Sequence, residues 1–351
     1  MRITEVNIQN LRLFKKARFH PSTKINLIYG DNGSGKTTVL ESIYLLARSR
    51  SFRSKSNSEL ISHDEKELYL SANLQNNNEQ KITIGIKRTK NKTNVRLSGQ
   101  TQNKISELAK SIPLNIITPN TQKIFTEGPK NRRRFLDWGV FHVEHNYADL
   151  VSLYYKILGQ RNAWIKRKEK NYRIWDKQLS DCSKQIDYFR EKYFKLFILN
   201  LRQMISEYHF LKNLQISYKR GWSKDLDLID LLNFNNDEIY YPTQKGPHRA
   251  DIVFNIGKQT VQEFLSRGEQ KILAILLILC QINITKDYIG ENPILLIDDI
   301  TSELDEENQK KIFQIISDSN IQVFLTLLNK KIFIHNDFDV EMFHVEHNQI
   351  I

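Results

Sequence analysis

The chain of 351 residues carries 52 Lys and Arg against 40 Asp and Glu, a formal charge of +12; its length predicts two lobes rather than one core, and its charge favours a polyanionic partner such as nucleic acid. Two cysteines, Cys182 and Cys280, lie far apart with no CxxC spacing, which excludes a disulfide scaffold and reads as reduced thiols of a cytosolic protein. The longest apolar run, Ile272 to Cys280, is too short to cross a bilayer, so no membrane partner is expected.

In chain order, "RITEVNIQNL" (residues 2–11) and "KINLIYG" (24–30) read as strands, and Lys36 to Ser49 as a helix. "ELYLSANL" (67–74) and "KITIGIKRT" (81–89), joined by the polar "QNNNEQ", predict an antiparallel pair; "PLNIITP" (113–119) predicts a strand closed by Pro119. From about Asn131 to Tyr208 the pattern is helical, basic and aromatic, without Pro or strict heptads. Strand signals return at "NLQISYKRGW" (213–222) and "ADIVFNIG" (250–257), before a helix that follows Ser266. "NPILLIDDI" (292–300) is a buried parallel-type strand, "DEENQKKIFQII" (305–316) an amphipathic helix, and "IQVFLTL" (321–327) another buried strand. Strands and helices alternate at both ends, which implies one α/β sheet assembled from both termini with the helical middle inserted. Residues 1–126 and 271–351 are assigned to one lobe and 127–270 to the other. The run "FHVEHN" occurs at 141–146 and again at 343–348. The second copy lies in a strand-like tail, and the repeat is read as coincidence rather than as a metal site.

"GDNGSGKT", Gly30 to Thr37, matches G-x-x-x-x-G-K-[ST] between a strand and a helix. Gly30, Gly33 and Gly35, with Asp31, Asn32 and Ser34 between them, let successive backbone N–H groups curl around a β-phosphate. Lys36 is placed to reach the β- and γ-phosphates and the Thr37 hydroxyl to bind magnesium, with Thr38 counted in the same nucleotide-binding set. In "ILLIDDI", four apolar residues deliver Asp298 to the C-terminal edge of the sheet, where its carboxylate can hold the magnesium ion through water. Asp299 follows it, in the position of a general base or water-orienting acid. In the helical middle, Arg132, Arg133, Arg134, Arg161, Lys166, Arg167 and Lys168 interleave with Trp164, Tyr172 and Trp175, a pattern suited to phosphate contacts on DNA. A solvated helix face with its aromatics in the core is the competing reading.

"LSRGEQK", Leu265 to Lys271, opens the most apolar helix of the chain. Ser266 can cap that helix, with Glu269 closing a capping box. The order P-loop, Leu-Ser-x-Gly loop, acidic strand resembles the ABC-type ATPases, and "TSELD" (301–305) resembles the loop that follows the acidic strand in that superfamily. In that architecture Ser266, Arg267 and Gly268 would close over the nucleotide of a second subunit.

Over nearly its whole length the chain resembles the RecF family of bacterial recombination and gap-repair proteins. The residues that carry the resemblance are "LRLF" (11–14), the P-loop, "SRSFR" (49–53), "GPKNRRRFLDW" (128–138), "QRNAWIK" (160–166), "GPHRAD" (246–251), "SRGEQK" (266–271), "LLIDDITSELD" (295–305) and "MFHVEHNQI" (342–350). The family usually has Gln in place of Glu269 and an aromatic in place of Leu11. Thr326 stands where transporters keep a switch His. The resemblance implies an α/β, ABC-type P-loop ATPase head with a mixed sheet built from both chain ends and an inserted, largely helical second lobe. It further implies an ATP- and Mg2+-dependent homodimer that clamps duplex DNA near single-strand gaps. Slow ATP hydrolysis would release the DNA, and RecR and RecO would act with the protein in loading RecA. The alternative is the nucleotide-binding subunit of an ABC transporter. A P-loop kinase acting on a small molecule is a third reading.

Overall fold

The structure is a computed structural model that describes residues 1–54, 56–102, 105–233, 242–299, 304–328 and 339–351. The chain divides into two units, Met1–Thr121 with Thr285–Ile351, and Gln122–Ile284. The second junction falls inside one continuous helix, Arg267–Ile289.

The first unit begins β1 (Arg2–Leu11), β2 (Phe14–Phe19), β3 (Ile25–Tyr29), α1 (Lys36–Arg48), β4 (Glu67–Gln75), β5 (Lys81–Thr89), β6 (Thr93–Leu97), β7 (Gln100–Thr101), α2 (Ile105–Ser111) and β8 (Leu114–Ile117). The second unit supplies α3 (Lys123–Thr126), α4 (Pro129–Val143), α5 (Tyr147–Lys166), α6 (Asp176–Ile205), β9 (Leu214–Lys219), α7 (Leu228–Asn233), β10 (Asp251–Ile256), β11 (Gln259–Thr260), α8 (Val261–Phe264) and most of α9 (Arg267–Ile289). The first unit is completed by β12 (Ile294–Asp298), α10 (Glu306–Asp318), β13 (Gln322–Leu327), β14 (Val340–Glu346) and β15 (Gln349–Ile350).

Two sheets build the first unit. One is antiparallel, in the order β2-β1-β4-β5-β6-β7; the other runs β15-β14-β3-β13-β12-β8 and is parallel apart from its β15 edge. The second sheet joins β3 and β8 from the front of the chain to β12, β13 and β14 from its end, as the alternation of strands and helices predicts. The strands of its centre are buried along nearly their whole length, which is why they read as unbroken apolar runs rather than as alternations. Helix α1 contacts strands of both sheets, and its Val39, Leu40, Ile43 and Leu46 share one core with Val6, Ile8, Leu70 and Ile86 of the first sheet and Ile294, Leu296 and Phe324 of the second. That placement fixes the start of α1 at the C-terminal ends of β3, β12 and β13.

Strand β2 has no counterpart in the sequence reading. Asn10 and Arg12 adopt left-handed φ values of 57° and 51°, and the hairpin they permit turns "FKKARF" back along β1 with Leu11 opposite Phe14. In the second unit, Cys182 and Cys280 are free and buried. Helix α9 extends well beyond the Ile272–Cys280 run, so that by length and composition it meets the requirement for crossing a membrane; most of its apolar window is buried inside the protein. The first "FHVEHN" closes α4 and the second lies along β14 and the turn after it.

Candidate nucleotide-binding site

Strand β3 ends at Tyr29 and the loop Gly30–Gly35 carries the chain into α1. A Cβ at Gly30 would lie 2.3 Å from the carbonyl oxygen of Val345, and one at Gly35, where φ is +114°, would lie 2.8 Å from the Phe14 ring. These two positions therefore require glycine for space as well as for backbone freedom. Gly35 caps α1 without any side-chain bond, so the helix N-terminus presents its free N–H groups and positive dipole end to the loop. Lys36 Nζ donates to the carbonyls of Gly30 and Asp31, 2.7 Å each, which folds the side chain back over the loop. Burial lowers the pKa of the Lys36 ammonium, against the opposing pull of Asp299, Asp31 and Asp298.

Two facts of this loop suit a triphosphate with a divalent cation. Ser34 Oγ is buried with no hydrogen-bond partner among the described residues. Thr37 Oγ1 donates to Asp298 Oδ1 at 2.9 Å, so the hydroxyl proton is engaged and the oxygen lone pairs are what Thr37 offers a cation. Asp298 ends β12 and lies in register with Thr326 of β13; Asp299 follows it with a left-handed φ of 47°. Thr326 Oγ1 donates to Asp298 Oδ1 at 2.9 Å and accepts the Asp299 N–H at 3.0 Å. A cleft of about 670 Å³ opens here, lined among others by Asn32, Gly33, Lys36, Thr37, Thr38, Asp298 and Asp299. A larger concavity of about 910 Å³ lies on the solvent face of the antiparallel sheet, but the cleft is the one that holds the phosphate-binding and acidic groups.

Sequence reasoning missed Glu41. It is 0% exposed, one turn into α1, and takes Arg12 by two bonds and the Ser51 hydroxyl by a third, with Arg53 3.9 Å away. Arg12 and Arg53 both line the cleft. No apolar pattern marks the position, since Thr38, Ser42 and Arg48 of α1 are buried as well; a carboxylate buried there requires a paired cation. Of "TSELD", residues 301–303 lie outside the described residues, and Asp305 caps α10 by accepting the Asn308 N–H at 2.8 Å.

The signature loop belongs to the second unit. Ser266 N and Oγ donate to Glu269 Oε2 at 2.9 and 2.8 Å, and the Glu269 N–H returns to Ser266 Oγ at 3.3 Å, the capping box expected from the sequence. Ser266 and Arg267 are exposed, Gly268 and Glu269 half-buried.

The cations proposed for DNA divide. Arg161 is 4% exposed and bonds Asp176 and Thr243 at 2.6 and 2.9 Å; such a side chain has no path to a phosphate, and its place in the DNA set is corrected to the interior of the second unit. Arg132 is paired with Asp251 at 2.7 and 3.0 Å, and Arg133 donates to the Ala250 carbonyl at 2.8 Å. Arg134, Lys166 and Arg167 are exposed. The same bonds give "GPHRAD" a purpose that the sequence left open. Arg190 donates to the Pro247 carbonyl at 2.8 Å, and the His248 ring lies between the Tyr154 hydroxyl at 2.5 Å and the Thr243 carbonyl at 2.8 Å. The loop is thus tied to α4, α5 and α6.

A family profile described as "RecF/RecN/SMC N terminal domain" matches residues 2–351. The chain is 35% identical over 363 residues, covering all of both chains, to the DNA replication and repair protein RecF of Pseudoalteromonas translucida. Its fold superposes with a TM-score of 0.87 and 28% identity on a structure described as the recombination mediator protein RecF-ATP in the RecFOR pathway, over 99% of this chain and 96% of that one. An SMC head bound to the winged-helix domain of ScpA matches at a TM-score of 0.62 and 16% identity over 100% and 97% of the two chains, a likeness of fold. The architecture is that of an ABC-type ATPase head with a largely helical insertion.

Proposed function

The chain belongs to the RecF branch of the RecF/RecN/SMC N-terminal-domain family, and on that premise we propose that it is an ATP-dependent DNA-binding protein of recombinational repair and replication restart. The ATP-bound form is a homodimer that clamps DNA at single-strand gaps; slow hydrolysis releases it, and RecR and RecO act with it in loading RecA. The observation that carries this reading is the junction of Lys36 and Thr37 with Asp298 and Asp299 in one cleft. Lys36 and the N–H groups of the loop and α1 bind the β- and γ-phosphates, and Thr37, with Asp298 behind a water, holds magnesium, which when bound neutralises phosphate charge. Asp299 orients the attacking water.

The exposed Ser266 and the N-terminus of α9 face the γ-phosphate of the second subunit, so ATP joins two chains. For the DNA itself, Arg134, Lys166 and Arg167 are joined by a second group. Lys16, Arg18, Lys87, Lys92 and Arg96 line the concavity on the antiparallel sheet, and of these Lys16, Lys92 and Arg96 make no ion pair among the described residues. A concave face carrying five cations suits a phosphate backbone.

The test is complementation in trans. Lys36→Ala and Ser266→Arg should each abolish ATP-dependent dimerisation alone, and a mixture should recover it, because one mixed site then has both an intact P-loop and an intact signature. A mixture that stays monomeric would rule out the shared site.

A further inference from the structure

We infer that Thr326 is a positioning residue whose hydroxyl clasps Asp298 and Asp299 in the arrangement the nucleotide site needs. Strand β13 is buried at every position, so its sequence has room for valine at 326, and a hydroxyl there is a liability unless it is bonded. Thr326 is 1% exposed and its single oxygen fills both of its roles in one rotamer. It donates to Asp298 Oδ1 at 2.9 Å and accepts the Asp299 N–H at 3.0 Å.

The first bond acts on the carboxylate. Thr37 also donates to Asp298 Oδ1, at 2.9 Å, so two hydroxyls from opposite sides of the chain hold one oxygen, and Oδ2 keeps its acceptor capacity for a hydrated cation. The second bond acts on the backbone. Asp299 has a φ of 47°, a conformation that a side-chain-bearing residue keeps only where its surroundings hold it. The hold at its N–H is Thr326. Without it the residue after Asp298 can relax toward ordinary backbone angles and carry the Asp299 carboxylate away from Lys36. Valine matches threonine in shape and can make neither bond, whereas serine can make both.

The clasp stands on geometry alone; its consequence for turnover rests on the ATPase reading above, and two measurements keep the two apart. Amide exchange at Asp299 in nucleotide-free protein reads the clasp directly. Thr326→Val is expected to speed it by about tenfold or more, and Thr326→Ser to stay within about threefold of the parent. Manganese(II) binding in the presence of ADP reads the carboxylate, and should weaken by roughly tenfold in Thr326→Val and little in Thr326→Ser. ATP turnover should fall in Thr326→Val and stay near the parent's in Thr326→Ser. If Thr326→Val does not fold, Thr326→Ala removes the same hydroxyl and takes its place in each comparison. Unchanged Asp299 exchange in the hydroxyl-less variants would overturn the proposal, as would a serine variant as impaired as valine, since the methyl group would then be the cause. A parent protein without ATP turnover would defeat the functional reading while exchange and manganese binding still decide the clasp.

Discussion

Thr37 Oγ1 stands 2.9 Å from Asp298 Oδ1 across 261 residues of sequence. The bond joins the first turn of α1 to the end of β12. The site is preorganised by the shared core of α1 and the two sheets, so replacing one oxygen should damage metal-dependent binding without unfolding the protein. Asp298→Asn is expected to weaken Mg2+-dependent ATP binding on the order of tenfold to a hundredfold while leaving the melting temperature nearly unchanged. Isothermal titration with ATP, with and without Mg2+, checks this; equal weakening in both would place Asp298 outside metal binding.

Glu269 closes the capping box on Ser266. Glutamine closes the same box without the charge, so Glu269→Gln should change folding stability by less than about 1 kcal/mol. It also removes a negative charge from the surface proposed to meet the partner's γ-phosphate. ATP-dependent dimerisation should tighten several-fold, as read by sedimentation over a range of protein concentrations, and an unchanged dimer constant would separate Glu269 from the nucleotide.

Lys16, Lys92 and Arg96 line the basic concavity of the antiparallel sheet. If each neutralises a phosphate, the triple alanine variant should lower the slope of log K against log salt by about 2 to 3 and weaken binding evenly across DNA sequences. A slope equal to the parent's would leave the contacts to Arg134, Lys166 and Arg167.

His248 is held between Tyr154 and Thr243, and burial, first among its causes, lowers its pKa below the usual imidazole value. The unfolded chain binds a proton below about pH 6.5 and the folded one resists it. Its contribution is therefore complete above that pH and is lost as pH falls toward the folded pKa. Urea unfolding at a series of pH values from 8 to 5 should show the parent losing stability faster on acidification than His248→Gln. Parallel curves for the two proteins would remove His248 from the pH response.

Much of this was legible from the residues. The P-loop, the acidic strand and the Ser266–Glu269 box are local patterns, each with its chemistry written within a few positions, and buried parallel strands announce themselves as apolar runs. What was not legible depends on pairing at a distance. Arg161 reads like any basic residue of a surface helix until Asp176 and Thr243 are found around it. Glu41 looks like a solvated helix residue until Arg12 arrives from the β1–β2 hairpin, which itself depends on two left-handed residues that sequence pattern does not mark. Thr326 departs from the transporters' His in the sequence itself, but its work on two aspartates follows only from the β12–β13 register. "GPHRAD" carries no catalytic pattern because its contacts are the packing of its own unit.

A clamp of this kind requires ATP to make a DNA-binding dimer, and binding of a labelled gapped duplex measures that requirement. The titration is made with and without ATP and Mg2+ at roughly 0.1 M salt, where screening acts over about 10 Å. Binding that is cooperative in protein, requires ATP with Mg2+, and disappears in Lys36→Ala is the result expected. Equal affinity with and without ATP would contradict the clamp and leave a basic surface that binds DNA unaided.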